Sequence, residues 1–141
     1  LVTSGAKVSI VGRSATPRDG INACHVADLS SVVGCQALVA ELQALGYVYD
    51  CLIFTVGVWP DFSQPNTAEG IDKVVQLDLV ARHIVLQGLG PKQLVKGACI
   101  MNVLASCMQV PFLDKDTLQA RVQGTLRITR GNMFYALLPL G

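Results

Sequence analysis

Few side chains in this sequence stand at spacings that do chemistry by themselves. The five cysteines, Cys24, Cys35, Cys51, Cys99 and Cys107, occur singly and form no C-x-x-C pair. An odd number of isolated thiols, four of them in or beside apolar segments, reads as reduced and mostly buried cysteine in an intracellular protein. His25 has only the adjacent Cys24 as a ligand-type companion and His83 has none, so no metal site is expected. Asp78 and Arg82 stand one helical turn apart. A carboxylate on a stripe with Ile71, Val74, Val75 and Val85 must be paired or shift its pKa, and Arg82 is the partner that spacing offers. Trp59 lies in a loop with Pro60 and Asp61, placed either to stack on a ligand or to plug the edge of the core.

The 141 residues are 51% apolar and 15% charged, with a net charge of +1. That length implies one domain, residues 1–141. No apolar run approaches the roughly 20 residues that span a bilayer, so the apolar surplus points to strands buried on both faces. Lys and Arg are dispersed, which argues against nucleic acid and anionic membrane surfaces as partners. The chain opens on Leu1 without a leader pattern, and residues ahead of it are expected. With unpaired cysteines, the default compartment is the cytoplasm.

The elements that must position these groups can be read in order. Lys7–Val11 is a β-branched run that stops at Gly12, a strand. Pro17–Gly20 is turn chemistry, and Ile21–Val26 is a second, weaker strand. Asp28–Ser31 supplies capping residues for a helix over Ser31–Leu45, with Cys35, Leu38, Leu42 and Leu45 on one face and Gly46 closing it. Cys51–Val56 is an apolar strand that ends at Gly57. Asn66-x-x-Glu69 matches a capping box ahead of a long helix to Leu89, broken by Gly88, Gly90 and Pro91. Ala98–Leu104 is another strand, and a last helix follows. The order β, β, α, β, α, β, α predicts a doubly wound α/β fold with a parallel sheet and right-handed crossovers.

Several of these segments resemble the short-chain dehydrogenase/reductase family. Gly5-Ala6-Lys7-Val8-Ser9-Ile10-Val11-Gly12-Arg13-Ser14 is similar to that family's second strand with its trailing G-R-S/N. Ala27-Asp28-Leu29-Ser30 resembles the turn after its third strand, and Leu52–Gly57 its L-V-N-N-A-G. The helix from Glu69 to Arg82 and the strand Ile100–Ser106 look like the elements that carry its structural Asn and catalytic Ser. The resemblance covers roughly residues 5 to 110, and its order and spacing are more specific than any one motif.

The resemblance implies a Rossmann-like fold and an oxidoreductase that moves hydride between NADP(H) and a carbonyl or alcohol substrate, with NAD as the alternative cofactor. It places Gly12, Arg13, Ser14, Asp28, Leu29, Thr55, Val56 and Gly57 at the cofactor. Arg13 would pair with the 2′-phosphate of NADP. Ser14 would add a hydrogen bond, and Asp28 would accept from the adenine amino group with Leu29 packing nearby. Asp28 also serves as a plain helix cap, and the two roles are compatible. Gly57 would let the backbone approach the cofactor, although Thr55-Val56 stands where the family has Asn-Ala. Asp78 falls on the family's Asn and Ser106 near its Ser, with Ala105 the alternative position. They are the catalytic candidates, weaker for Asp78 than its ion-pair role. A homo-oligomer is implied by analogy.

Three departures set this sequence apart. It contains no G-x-x-x-G-x-G loop for the pyrophosphate and no first strand, the centre of the expected 3-2-1-4-5 order. Strands two and four should then pair directly, or their edges should stand unpaired. Tyr135 is followed four residues on by Pro139, and Leu126-x-x-x-Arg130 supplies neither phenol nor ammonium, so the family's Tyr-x-x-x-Lys relay is missing. Asp78 itself replaces an Asn. Residues 1–141 alone are therefore expected to be inactive, and a non-catalytic relative serving as a binding module stands as the alternative.

Overall fold

In the computed structural model, residues 1–59, 61, 63–103, 119 and 123 are described. Ser106 lies outside the described residues, as do Ala105, Leu126, Arg130, Tyr135 and Pro139. The first strand, β1 (Val8–Gly12), forms where Val8, Ile10 and Val11 favour extended backbone. It pairs in parallel with β2 (Ile21–Val26), in register from Ser9↔Ala23 to Gly12↔Val26 after a bulge at Val8.

Helix α1 (Val32–Leu45) starts at Ser31, whose hydroxyl accepts the Gly34 N–H at 3.3 Å, and ends at Gly46, whose N–H donates to Gln43. It buries Cys35, Leu38, Val39 and Leu42, the i, i+3, i+4, i+7 pattern of one helix face. His25 of β2 is tied to it, with Nδ1 2.6 Å from Glu41 Oε1. Strand β3 (Tyr49–Phe54) follows.

The second crossover is one helical segment made of α2 (Lys73–Val75), a π-helical turn (Gln76–Val80) and α3 (Ala81–Gln93). Its backbone leaves the helical region at Gly90 (φ 49°, ψ −159°), just ahead of Pro91. Strand β4 (Leu94–Asn102) then runs parallel to β3, with Cys51↔Cys99 through Phe54↔Asn102 in register. Between Tyr49 and Cys51 the register slips, because β4 advances from Leu94 to Cys99 over the same stretch.

The core lies between the two crossover helices and β3. Leu38, Val39 and Leu42 of α1 meet Phe54, Val85 and Leu89, with Leu52, Ile84 and Leu94 at its margin. Gly88 permits this approach, since a Cβ there would run into the Val39 side chain. Three expectations need correcting. Asn66 and Glu69 form no capping box: Asp72 caps α2 through the Val74 and Val75 N–H groups, both at 2.9 Å, and Glu69 reaches α1 instead. Strand β4 begins at Leu94, four residues earlier than read. The long helix carries a π-helical turn that its apolar pattern does not announce.

Six elements of the expected order are present among the described residues, and both strand pairs are parallel. They do not merge into one sheet. The pairs β1–β2 and β3–β4 stand as two separate two-stranded sheets. Among the described residues β1 and β3, the strands expected to pair directly, are not hydrogen-bonded to each other. Among the described residues no helix is long and apolar enough to cross a membrane.

Candidate functional site

In parallel α/β folds the strands' carboxyl ends carry the loops that reach a ligand. Here the ends of β1, β2 and β3 open on one cleft of about 360 Å³. The end of β1 brings Gly12 and Arg13, the turn after β2 brings Asp28, Leu29 and Ser30, and the loop after β3 brings Val56 to Trp59. Asp61, Lys73 and Leu77 complete the lining.

Each charged group here has a definite environment. Asp28 Oδ1 accepts from the Ser30 hydroxyl at 2.7 Å and the Ser30 N–H at 3.0 Å. The hydroxyl bond, then the N–H bond, hold the Asp28 carboxyl below the usual carboxylate range, and Arg13 adds to the effect. The group is therefore ionised and acceptor-only at neutral pH. Asp28 is positioned by close packing: a Cβ on Gly34, in the first turn of α1, would strike the Asp28 carbonyl oxygen.

Also lining the cleft, Asp61 accepts at Oδ1 from the Ser63 hydroxyl (2.7 Å), the Ser63 N–H (2.9 Å) and the Gln64 N–H (3.1 Å). Its Oδ2 meets Lys73 Nζ at 3.3 Å. These donors, the Ser63 hydroxyl foremost, hold the Asp61 carboxyl far below its ordinary value. Lys73 and Asp61 thus neutralise each other, whereas exposed Arg13 makes no ion pair among the described residues.

Behind the β3 loop, buried Arg82 donates to Val56 O at 2.8 Å, Asp78 Oδ1 at 3.2 Å and Asn102 Oδ1 at 3.2 Å. Its guanidinium also lies 6.0 Å from the Phe54 ring centroid. One side chain therefore joins the carboxyl ends of β3 and β4 to the π-helical turn. The Asp78–Arg82 ion pair has the i, i+4 spacing the sequence offered. A Cβ on Gly57 would sit 3.5 Å from Asp78 Oδ1, an ordinary contact, so Asp78 backs the cleft wall without lining it.

Of the positions singled out in the sequence, Gly12, Arg13, Asp28, Leu29, Val56 and Gly57 come together in the cleft. Ser14 and Thr55 do not line it, although both are exposed nearby, and Ser106 lies outside the described residues. Trp59 is 73% exposed and borders the cleft, so it does not plug the core. Lys73 was not foreseen. No local pattern links it to Asp61, twelve residues earlier; the loop between them makes the pair.

No protein-family model matches the chain, and no curated protein matches it. Solved structures do. A short-chain dehydrogenase family protein from Francisella tularensis subsp. tularensis SCHU S4 superposes with a TM-score of 0.57 at 15% identity, over 82% of this chain and 47% of that one. A short-chain dehydrogenase/reductase from Serratia marcescens BCRC 10948 gives 0.55 at 19% identity, over 86% and 55%. The chain has an incomplete Rossmann-like fold of the short-chain dehydrogenase/reductase kind, and it spans about half the length of these solved structures.

Proposed function

We propose that the cleft is the adenosine end of a dinucleotide site, and that the chain belongs to an oxidoreductase using NADP(H) on a carbonyl or alcohol substrate. The observation that carries this reading is the meeting of Arg13, Asp28 and Gly57, from three different strand ends, in one cleft. The donor set fits that half of the cofactor. Arg13, which makes no ion pair among the described residues, offers its guanidinium to a 2′-phosphate. Asp28 is held ionised to accept from the adenine amino group, Leu29 supplies apolar contact, and the Val56–Gly57 backbone lies alongside. Ser14, exposed one residue beyond Arg13, adds a hydroxyl within reach of the same phosphate. For the pyrophosphate these residues offer no counterpart, since the sequence has no glycine-rich loop.

When bound, the nicotinamide supplies the hydride; the residues of this chain bind and orient its adenosine end. Ser106 and Asp78 remain the proposed catalytic positions, and Asp78 acts first by holding Arg82. A second reading, a scaffold that binds without catalysing, is favoured by the Tyr135-x-x-x-Pro139 run.

Titration of the 141-residue chain with NADPH and with NADH, followed by cofactor fluorescence, tests the proposal. For want of a phosphate cradle, binding should be no tighter than about millimolar, with NADPH preferred by about tenfold through one charge-assisted contact. The Arg13→Asp variant should lose or reverse the preference; an unchanged preference removes Arg13 from the site. Turnover of a carbonyl panel with NADPH by this chain would exclude the non-catalytic reading.

A further inference from the structure

Cys51 and Cys99 are separated by most of a crossover in sequence, yet they are register partners on the parallel strands β3 and β4. Register partners on adjacent strands project from the same sheet face, and strands lie about 4.8 Å apart. That spacing falls inside the roughly 4.4–6.8 Å Cα separation that a disulfide requires. Both residues are exposed and both are free thiols. We propose that Cys51 and Cys99 are a redox-modification site, oxidised by peroxide to a reversible disulfide that staples β3 to β4.

The step balances without any other reactant. The Cys99 sulfur attacks first, as its thiolate, and the opposite order gives the same disulfide. It takes one peroxide oxygen, the O–O bond breaks, and the departing hydroxide leaves as water once protonated. Cys99 is then a sulfenic acid. Cys51 gives up its proton and attacks that sulfur; the S–O bond breaks and a second water leaves. Two thiols have lost two electrons together, and the peroxide has become two waters. A dithiol reductant reverses the change by exchange.

The other described cysteines lack this geometry. Cys24 donates its S–H to Thr16 O at 3.3 Å. Cys35 is buried, donates to Leu29 O, and is pushed up to about 11 by burial, with Glu69 and Asp28 adding to the effect. Neither faces a second thiol among the described residues.

The test treats the reduced 141-residue chain with stoichiometric hydrogen peroxide, alkylates the remaining thiols and locates any link by tandem mass spectrometry. The expected product is a monomer two hydrogens lighter, linked Cys51 to Cys99 and restored by dithiothreitol. The Cys51→Ser variant should instead stop at a Cys99 sulfenic acid that dimedone traps. Cys51 and Cys99 both remaining alkylatable would overturn the proposal, as would links of either to another cysteine or between chains.

Discussion

The Glu69 carboxylate accepts the Val32 N–H at 2.8 Å, although the two residues stand 37 positions apart. It also reaches the Ser31 hydroxyl at 3.0 Å and the Val33 N–H at 3.4 Å. A negative group over the first turn of α1 satisfies orphan N–H donors and opposes the positive end of the helix dipole. The loop before the second crossover is thereby pinned to the first crossover helix.

This contact makes stability depend on pH. The Val32 N–H, and after it the Ser31 hydroxyl, hold the Glu69 carboxyl below its ordinary value in the folded chain. A depressed folded pKa contributes stability that is full above the unfolded value of about 4.3 and is lost as pH falls through the folded one. Glu69→Gln should therefore lower the melting temperature at neutral pH, and the gap from the parent chain should close in acid. A gap that persists unchanged at pH 3 would show that the contact owes nothing to the charge.

How much of this was legible in the sequence depends on whether the deciding partner was near in the chain. Ser31 and Gly46 flank α1, and the apolar runs before Gly12 and Gly57 announce strands, because the residues that fix those elements lie inside them. Asn66-x-x-Glu69 misled for the opposite reason. Its spacing suits a local cap, but the partner that won Glu69 lies on another helix, and Asp72, two and three residues before Val74 and Val75, is as good a cap. At the cleft, Arg13, Asp28 and Gly57 each ended a readable strand or began a readable turn. Lys73 and Asn102 joined their partners only through tertiary folding.

Close packing of the two crossover helices predicts a non-additive pair. A Cβ on Gly88 collides with Val39, whose β-branched side chain is stiff in a helix. Alanine raises helix propensity by about 1 kcal/mol, but overpacking costs about 1–3 kcal/mol. Gly88→Ala should be destabilising in urea melts, and Val39→Ala in the same chain should recover part of the loss. Two purely additive losses would mean that the helices move apart freely.

The core itself should respond by size. Leu89 is 1% exposed and packs among Leu38, Val39, Leu42, Phe54 and Val85, so Leu89→Ala removes buried methylenes and leaves a cavity. The loss should be about 2–5 kcal/mol by chemical denaturation. Leu45→Ala, at a residue 44% exposed at the end of α1, should change stability far less. Equal losses at both positions would displace the core from where the packing puts it.

Arg82 and Asp78 contribute unequally to their ion pair, and mutation should show it. Arg82, with its side chain 6% exposed, is the donor for three acceptors: Val56 O, Asp78 Oδ1 and Asn102 Oδ1. Arg82→Met withdraws a donor from all three at once and removes the positive charge facing a carboxylate 18% exposed. Breaking a buried pair in this way costs about 3–5 kcal/mol. Asp78→Asn keeps an oxygen at the same place and leaves Arg82 its two other acceptors, so about 1 kcal/mol is the expected loss. The double variant should then be less damaged than the sum of the two, because the charge that Arg82→Met strands is already gone. Urea melts of the three variants decide it. If Asp78→Asn proves as harmful as Arg82→Met, the carboxylate charge holds this corner of the fold and the guanidinium's three-way reach does not.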